Sequence, residues 1–92
     1  MIKFKNRVGY VVYKITAEEC FSFGGLSICD DCGSFEENGG YLIPVLNHFM
    51  CPECFNEWNS FCKFYPEDLE FEQRYIFYYE NILPHVCSDV PV

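Results

Sequence analysis

Two short stretches, Cys29-Asp-Asp-Cys32 and Cys51-Pro-Glu-Cys54, contain four of the seven cysteines of this 92-residue chain. A tight turn brings the sulfurs of residues i and i+3 together, so each pair can present two thiolates to one metal ion. Gly33 follows the first pair, where the turn needs a residue that tolerates positive φ. Two such pairs complete the four-sulfur site that zinc prefers. The spacing therefore predicts one structural Zn²⁺ held by Cys29, Cys32, Cys51 and Cys54.

Other uses of these four cysteines agree less well with the sequence. Disulfides need an oxidising compartment, and no signal peptide is expected because Gly9 and Lys14 interrupt the apolar run 8–15. A redox dithiol would need only one Cys-x-x-Cys, within a βαβ pattern. An iron site of the rubredoxin type is the nearest competitor, although Phe55 stands where the second knuckle would carry a glycine. We therefore expect zinc, in a cytoplasmic protein without a membrane span.

Three further cysteines and His48 are not expected to bind the metal. Cys62 lies eight residues beyond the second pair on a predicted helix, too far along to share the ion. Cys20, Cys62 and Cys87 are predicted to be buried or incidental thiols. His48 precedes the second pair by three residues and can replace one sulfur. We favour a turn or surface histidine, because four cysteines already close the site.

The charge of the chain is strongly negative and unevenly distributed. The formal charge is −8 at pH 7, and four of the six basic residues lie within residues 1–14. From residue 15 onward, fourteen acidic residues face only Lys63 and Arg74, a net charge of −12. Zinc proteins that bind nucleic acid place Lys and Arg on phosphates, so direct nucleic-acid binding is not expected. A basic surface of a protein partner is expected instead, with simple solubility as the alternative role of the charge.

The order of elements predicts one α+β domain over residues 1–92. Residues 1–25 are predicted to form an N-terminal β-hairpin region, because apolar and basic residues alternate at first and a β-branched, aromatic run follows. A helix start is predicted after the hairpin, with Thr16 as its cap and Glu19 three residues later.

The predicted zinc-binding module covers residues 26–65. Its short strand, Tyr41 to Val45, must be an edge strand or irregular, since Pro44 cannot donate to a ladder. A helix is predicted from Pro52 to Tyr65, with one apolar face at helical period. An aromatic-rich helix from Glu67 to Leu83 fills the C-terminal part, residues 66–84, and residues 85–92 are predicted to be a frayed tail.

The succession of a cysteine knuckle, a β-hairpin and a cysteine pair that opens a helix resembles the treble-clef zinc fold. The resemblance covers residues 26–65 and matches at all four ligand positions. It implies one zinc ion held by the four cysteines. It implies no particular function, because unrelated functions share this fold.

The sequence carries no recognisable catalytic constellation, so an enzyme is not expected. No histidine lies near a free nucleophile in a known spacing, and four thiolates leave a zinc ion no open position. Binding remains, as a monomer or a homodimer, and the last helix has more apolar surface than one small core needs. The predicted contact surface comprises Glu67, Asp68, Glu70, Glu72 and Phe77. The alternative is that the aromatic rings only pack on the rest of the domain.

Four segments support a closer resemblance. They are Ile-Cys-Asp-Asp-Cys-Gly (28–33), Tyr-Leu-Ile-Pro-Val-Leu-Asn (41–47), Cys-Pro-Glu-Cys-Phe-Asn-Glu-Trp (51–58) and Tyr-Pro-Glu-Asp-Leu-Glu-Phe-Glu (65–72). This stretch resembles small acidic zinc proteins of phages and mobile elements of Gram-positive bacteria, some of which are anti-CRISPR inhibitors of Cas9-type effectors. The resemblance implies a non-enzymatic inhibitor in the host cytoplasm that binds a basic protein surface, and Cas9 offers positively charged channels. The alternatives are a phage or host transcription adaptor and a rubredoxin-like electron carrier.

Overall fold

The computed structural model describes residues 1–82, which form a small α+β arrangement. The strands are β1 (Ile2–Lys5), β2 (Val11–Ile15), β3 (Gly40–Ile43) and β4 (His48–Met50), and the helices are α1 (Ala17–Ser22), α2 (Pro52–Phe61) and α3 (Leu69–Phe77). A 3-10 turn, Pro66–Asp68, precedes α3, and a wider π-type turn, Tyr78–Ile82, follows it. The predicted tail, with Cys87, and the last predicted helical residue, Leu83, lie outside the described residues.

The four strands form one antiparallel sheet in the order β1-β2-β3-β4. The N-terminal hairpin, β1 and β2, and the hairpin between the cysteine pairs, β3 and β4, join where Tyr13 lies opposite Leu42. The sequence predicted the two hairpins as parts of separate regions, and nothing in it indicated this pairing. The shared sheet makes the N-terminal hairpin part of the scaffold that carries the cysteines.

The prediction that β3 is an edge or irregular strand was wrong. β3 is an inner strand that pairs with β2 on one side and β4 on the other. The strand ends at Ile43, one residue before Pro44, so the missing N–H of the proline falls in the turn and not in the ladder. The Pro44 carbonyl accepts a hydrogen bond from the Asn47 amide at 3.0 Å within that turn.

The sheet has a core on each face because β2 alternates between them. Val11, Tyr13 and Ile15 face one side, while Val12 faces the other and is fully buried. The first core also takes Cys20 of α1, Phe49 of β4 and Tyr79, which follows α3. The second core contains Cys29, Ile43, Met50, Cys51 and Phe55. α3 and α1 thus cover one face of the sheet, and the cysteine pairs and α2 cover the opposite face.

The start of α1 confirms the predicted cap. The Glu19 amide donates to the Thr16 hydroxyl, and the Thr16 amide donates to the Glu19 carboxylate. This reciprocal pair of bonds satisfies two amides that a helix start leaves free. The helix is short and ends at Ser22, before Gly24 with φ of 88°.

α2 is shorter than the predicted helix over residues 52–65, since it ends at Phe61. Cys62 already has extended backbone, with φ −63° and ψ 147°. The Arg7 guanidinium donates to the carbonyl oxygens of Asn59 at 2.5 Å and Cys62 at 2.6 Å. These bonds satisfy carbonyls that the end of a helix exposes, so a side chain from the N-terminal hairpin caps α2.

The extended segment after α2 is held by one buried tyrosine. The Tyr10 hydroxyl accepts a hydrogen bond from the Tyr65 amide at 3.0 Å and contacts the Asp68 carboxylate at 2.9 Å. Tyr10 is 2% exposed, so its hydroxyl anchors this segment from within the domain. These bonds explain why α2 ends before Pro66. In the sequence, Pro66 is the first residue that signals a helix end.

Glu72 corrects the predicted contact surface, because its side chain is 2% exposed. Its Oε2 accepts a hydrogen bond from the Val11 amide at 2.8 Å, at the start of β2. Glu72 follows Glu70 by two residues, so the two side chains project from opposite sides of α3. Glu72 therefore fastens α3 to the sheet and is not available to a partner.

Replacement of Glu72 by alanine is expected to lower the free energy of unfolding by about 1–3 kcal/mol, because the buried Val11 amide loses its acceptor. Urea denaturation, compared with the unchanged protein, gives this value. Glu70→Ala is the matched control on the same helix, since the Glu70 side chain is 88% exposed. Equal losses in the two variants would show that the buried bond contributes nothing.

Candidate metal centre

The first cysteine pair lies in a tight knuckle closed by backbone hydrogen bonds. The Cys29 amide donates to the Ser34 carbonyl, and the Gly33 amide donates back to the Cys29 carbonyl, both at 2.9 Å. Gly33 has φ of 78°, the left-handed conformation that the sequence predicted for it. The Cys32 amide lies 3.5 Å from Cys29 Sγ, so the turn directs a donor at one of its own sulfurs.

The second cysteine pair lies at the start of α2. Cys51 is the N-terminal cap, and its sulfur accepts from the Cys54 amide at 3.4 Å. Pro52 is the first helical residue, where its missing N–H costs nothing and its fixed φ suits the helix. Cys54 is thereby placed one helical turn after Cys51, with both sulfurs on the side that faces the first knuckle.

Asp30 joins the two cysteine pairs. Its amide donates to the Phe49 carbonyl, and its carboxylate accepts from the Phe49 amide, each at 2.8 Å. These two bonds attach the first knuckle to the outer edge of β4, two residues before Cys51. The position of Asp30 in the sequence gives no signal for this role.

The four sulfurs meet in one cluster. All four Sγ atoms lie within 4.8 Å of one another, and those of Cys32 and Cys51 are 3.8 Å apart. A tetrahedral ion with bonds of about 2.3 Å to sulfur needs edges of about 3.8 Å between its ligands. The donor set therefore fits a four-coordinate metal ion with small adjustments of the side chains. Cys29 and Cys51 are buried, while Cys32 is exposed to solvent.

The pKa values of Cys32, Cys51 and Cys54 are shifted in different directions. The Ser34 hydroxyl, 3.1 Å from Cys32 Sγ, is the main cause that lowers the pKa of Cys32 to about 7. Burial raises the pKa of Cys51, and the hydrogen bond with Cys51 is the main cause that raises the pKa of Cys54. A metal ion needs all four groups as thiolates, so its binding releases protons and weakens as the pH falls.

The remaining cysteines and His48 lie apart from this cluster in the described part of the chain. Cys20 and Cys62 are buried, as predicted, and each sulfur accepts a hydrogen bond, from the Ser27 amide and from the Asn6 side chain respectively. His48 is exposed at the start of β4 and does not belong to the group of four sulfurs.

Of the other residues of the predicted contact surface, three are exposed to solvent and one is bonded within the domain. Glu67 and Glu70 are exposed, and Phe77 is 60% exposed. Asp68 is half-buried and engaged by the Tyr10 hydroxyl. Glu70 and Phe77 are seven residues apart and lie on the same side of α3, with Arg74 between them at 3.9 Å from Glu70. A smaller stripe of Glu67, Glu70 and Phe77 remains as the accessible surface.

The chain matches no protein-family model, no curated protein and no solved structure. Among residues 1–82, none of the helices has the length and apolar character needed to cross a bilayer.

Proposed function

We propose that this chain is a non-enzymatic zinc protein that binds a basic surface of a protein partner. The four-sulfur cluster supports the metal, because four thiolates at tetrahedral spacing form a closed site of the structural type. Zn²⁺ prefers such a set of four thiolates, and the ion has no redox activity. The knuckle, the β3–β4 hairpin and α2 follow one another in the order of a treble clef, which we propose as the fold of residues 26–65.

The negative charge of the surface supports the proposal of a basic partner. Within residues 1–82, only Glu19, Glu70 and Glu80 take part in ion pairs. Exposed acids without such a pair in this range lie in the first knuckle, on α1 and α2, and in two turns. They are Glu18, Asp30, Asp31, Glu37, Glu53, Glu57 and Glu67. Four thiolates with Zn²⁺ add −2 to the formal charge of −8, so the metal-bound protein carries −10. Such a field speeds encounter with a positive surface.

Among basic partners, we propose a Cas9-type effector in a bacterial cytoplasm, with this chain as its inhibitor. The four segments that resemble small acidic phage zinc proteins support this choice. The physical argument is that a positively charged nucleic-acid channel suits an acidic occupant. The exposed stripe of Glu67, Glu70 and Phe77, on α3 and the 3-10 turn before it, is the proposed contact surface.

Target-DNA cleavage by a guide-loaded Cas9, with gel shift of the same DNA, tests this proposal. We expect loss of cleavage on addition of the zinc-bound protein. Loss of DNA binding as well would place the block at target loading, whereas retained binding would place it at the catalytic step. Unaffected cleavage across several Cas9 orthologues would contradict the Cas9 proposal. Capture of RNA polymerase instead would favour the transcription adaptor.

Charge reversal of the stripe tests its role as a contact. Glu67→Lys with Glu70→Lys is expected to weaken binding to the partner about three- to tenfold at low salt and to flatten its salt dependence. The matched control reverses two exposed acids elsewhere, Glu18→Lys with Glu37→Lys, at the same change in net charge. Equal weakening by both pairs would assign the effect to total charge and not to this surface.

A further inference from the structure

Two grooves meet along the outer side of α2, beside the metal centre. The smaller has a volume of about 230 Å³ and is lined by Asp31, Met50, Cys54, Glu57, Trp58 and Phe61. The larger, of about 440 Å³, is lined mainly by apolar and aromatic side chains, among them Leu46 and Tyr65. Trp58 and Phe61 line both grooves, so they form the wall between them.

The wall is made by one stripe of α2. Cys54, Glu57, Trp58 and Phe61 follow one another at i, i+3, i+4 and i+7, which brings their side chains to one side of the helix. Phe61 is 63% exposed although it is a large apolar side chain. Trp58 packs on Phe55 and Tyr10, with ring centroids 6.1 and 6.3 Å away. These contacts within the domain hold the Trp58 ring in position.

Asp31 and Glu57 are the two carboxylates of the smaller groove, and Lys63 lines the adjoining larger groove. Asp31 and Glu57 are exposed, and neither takes part in an ion pair within residues 1–82. They come from different elements, Asp31 from the first knuckle and Glu57 from α2. Arg7, which reaches the end of α2, is already bound to the carbonyls of Asn59 and Cys62.

We infer that the smaller groove receives an arginine side chain of the basic protein partner, an inference that rests on the proposed function. The guanidinium stacks on the aromatic wall and donates to Asp31 and Glu57 at its rim. Arginine suits this site better than lysine, because its planar group stacks on rings and donates to carboxylates at the same time. An apolar neighbour of that arginine enters the larger groove, where aromatic anchors contribute most to binding.

The chemistry of the groove argues against other occupants. A phosphate of a nucleic acid would meet two carboxylates and the thiolates of the metal centre, an arrangement that repels anions. A purely apolar segment would fill the larger groove but leave the unpaired acids of the smaller one unused. An arginine beside an apolar residue uses both grooves, and the shared wall of Trp58 and Phe61 fixes their separation.

Trp58 provides the readout, because it is the only tryptophan of the chain. The probe is a short synthetic peptide with one arginine flanked by leucines, titrated into the zinc-bound protein and followed by Trp58 fluorescence and indole N–H NMR shift. We expect a saturable change, and no such change with a glutamate in place of the arginine. Glu57→Gln, Asp31→Asn and Phe61→Ala are each expected to weaken binding about three- to tenfold.

Matched controls lie on α1, away from the grooves and from the stripe on α3. Glu18→Gln and Phe21→Ala remove an exposed acid and an exposed ring, and we expect them to leave peptide binding unchanged. Zinc content and circular dichroism of each variant show that the fold is intact. The inference is overturned by absence of a saturable change, by equal binding of both peptides, or by equal effects of the α1 controls.

The same variants separate this inference from the proposed function. Cas9 inhibition that survives Glu57→Gln, Asp31→Asn and Phe61→Ala would refute the groove as the contact and leave the proposed function standing. Saturable peptide binding that fails in these variants, with no effect of the protein on any Cas9, would establish the groove and refute the proposed effector.

Discussion

Replacement of Cys29 or Cys51 by serine is expected to abolish stoichiometric zinc binding and to unfold the centre of the domain. Both sulfurs are buried and belong to the core on the α2 face of the sheet. Structural zinc contributes about 10–16 kcal/mol in zinc-finger peptides, which is comparable to or larger than the total stability of about 5–15 kcal/mol that domains possess. The midpoint of thermal unfolding should fall by about 20 °C or more, because each kcal/mol corresponds to about 4–8 °C at this size.

Cys20→Ser and Cys62→Ser are the controls, because these buried cysteines lie outside the cluster. They should keep one zinc ion per chain, measured by elemental analysis of the purified protein. A chelator should reproduce the effect of the ligand variants in the unchanged protein. A quadruple ligand variant that stays folded would contradict the structural role, and visible absorbance of the native protein would show iron in place of zinc.

Replacement of Phe55 by alanine is expected to lower the free energy of unfolding by about 3–5 kcal/mol. Phe55 is 5% exposed and stacks on Tyr41 of β3, with ring centroids 4.1 Å apart. Its ring also meets the edge of Phe4 at 6.3 Å, so one side chain joins α2 to β1 and β3. Loss of the Phe55 ring would leave a cavity in the core next to the second cysteine pair.

Denaturation at saturating zinc measures this loss without the contribution of metal release. Phe61→Ala is the matched control, since it removes the same side chain from the same helix at a site that is 63% exposed. The control should change stability by less than about 0.5 kcal/mol. A similar loss in both variants would mean that the aromatic cluster around Phe55 does not hold α2 on the sheet.

The cysteine cluster and most elements followed from local signals in the sequence. Cys-x-x-Cys spacing brings sulfurs together through the geometry of single turns, and Gly33 and Pro52 mark those turns by their own backbone restrictions. The capping box of Thr16 and Glu19 is equally local. Such features are readable because the residues that cause them are within a few positions of one another.

The contacts that arrange these elements could not be predicted from the sequence, because they join residues that are far apart along the chain. Arg7 caps α2, Glu72 accepts from Val11 and Asp30 accepts from Phe49, each across a large sequence separation. The sequence around a single charged residue does not indicate such a role, so Glu72 was predicted to belong to the contact surface. The end of α2 was misplaced for the same reason, since the side chain that ends it comes from the N-terminal hairpin.

The late position of α3 in the chain has a consequence for synthesis on the ribosome. Residues 1–61 contain the whole sheet, both cysteine pairs and α2, so metal capture can precede the emergence of α3. Until α3 emerges, the sheet face of Val11, Tyr13 and Ile15 has no helix over it beyond α1. A nascent chain that stalls at this stage would present an apolar β-surface to other chains, and we expect it to be the stage most prone to aggregation.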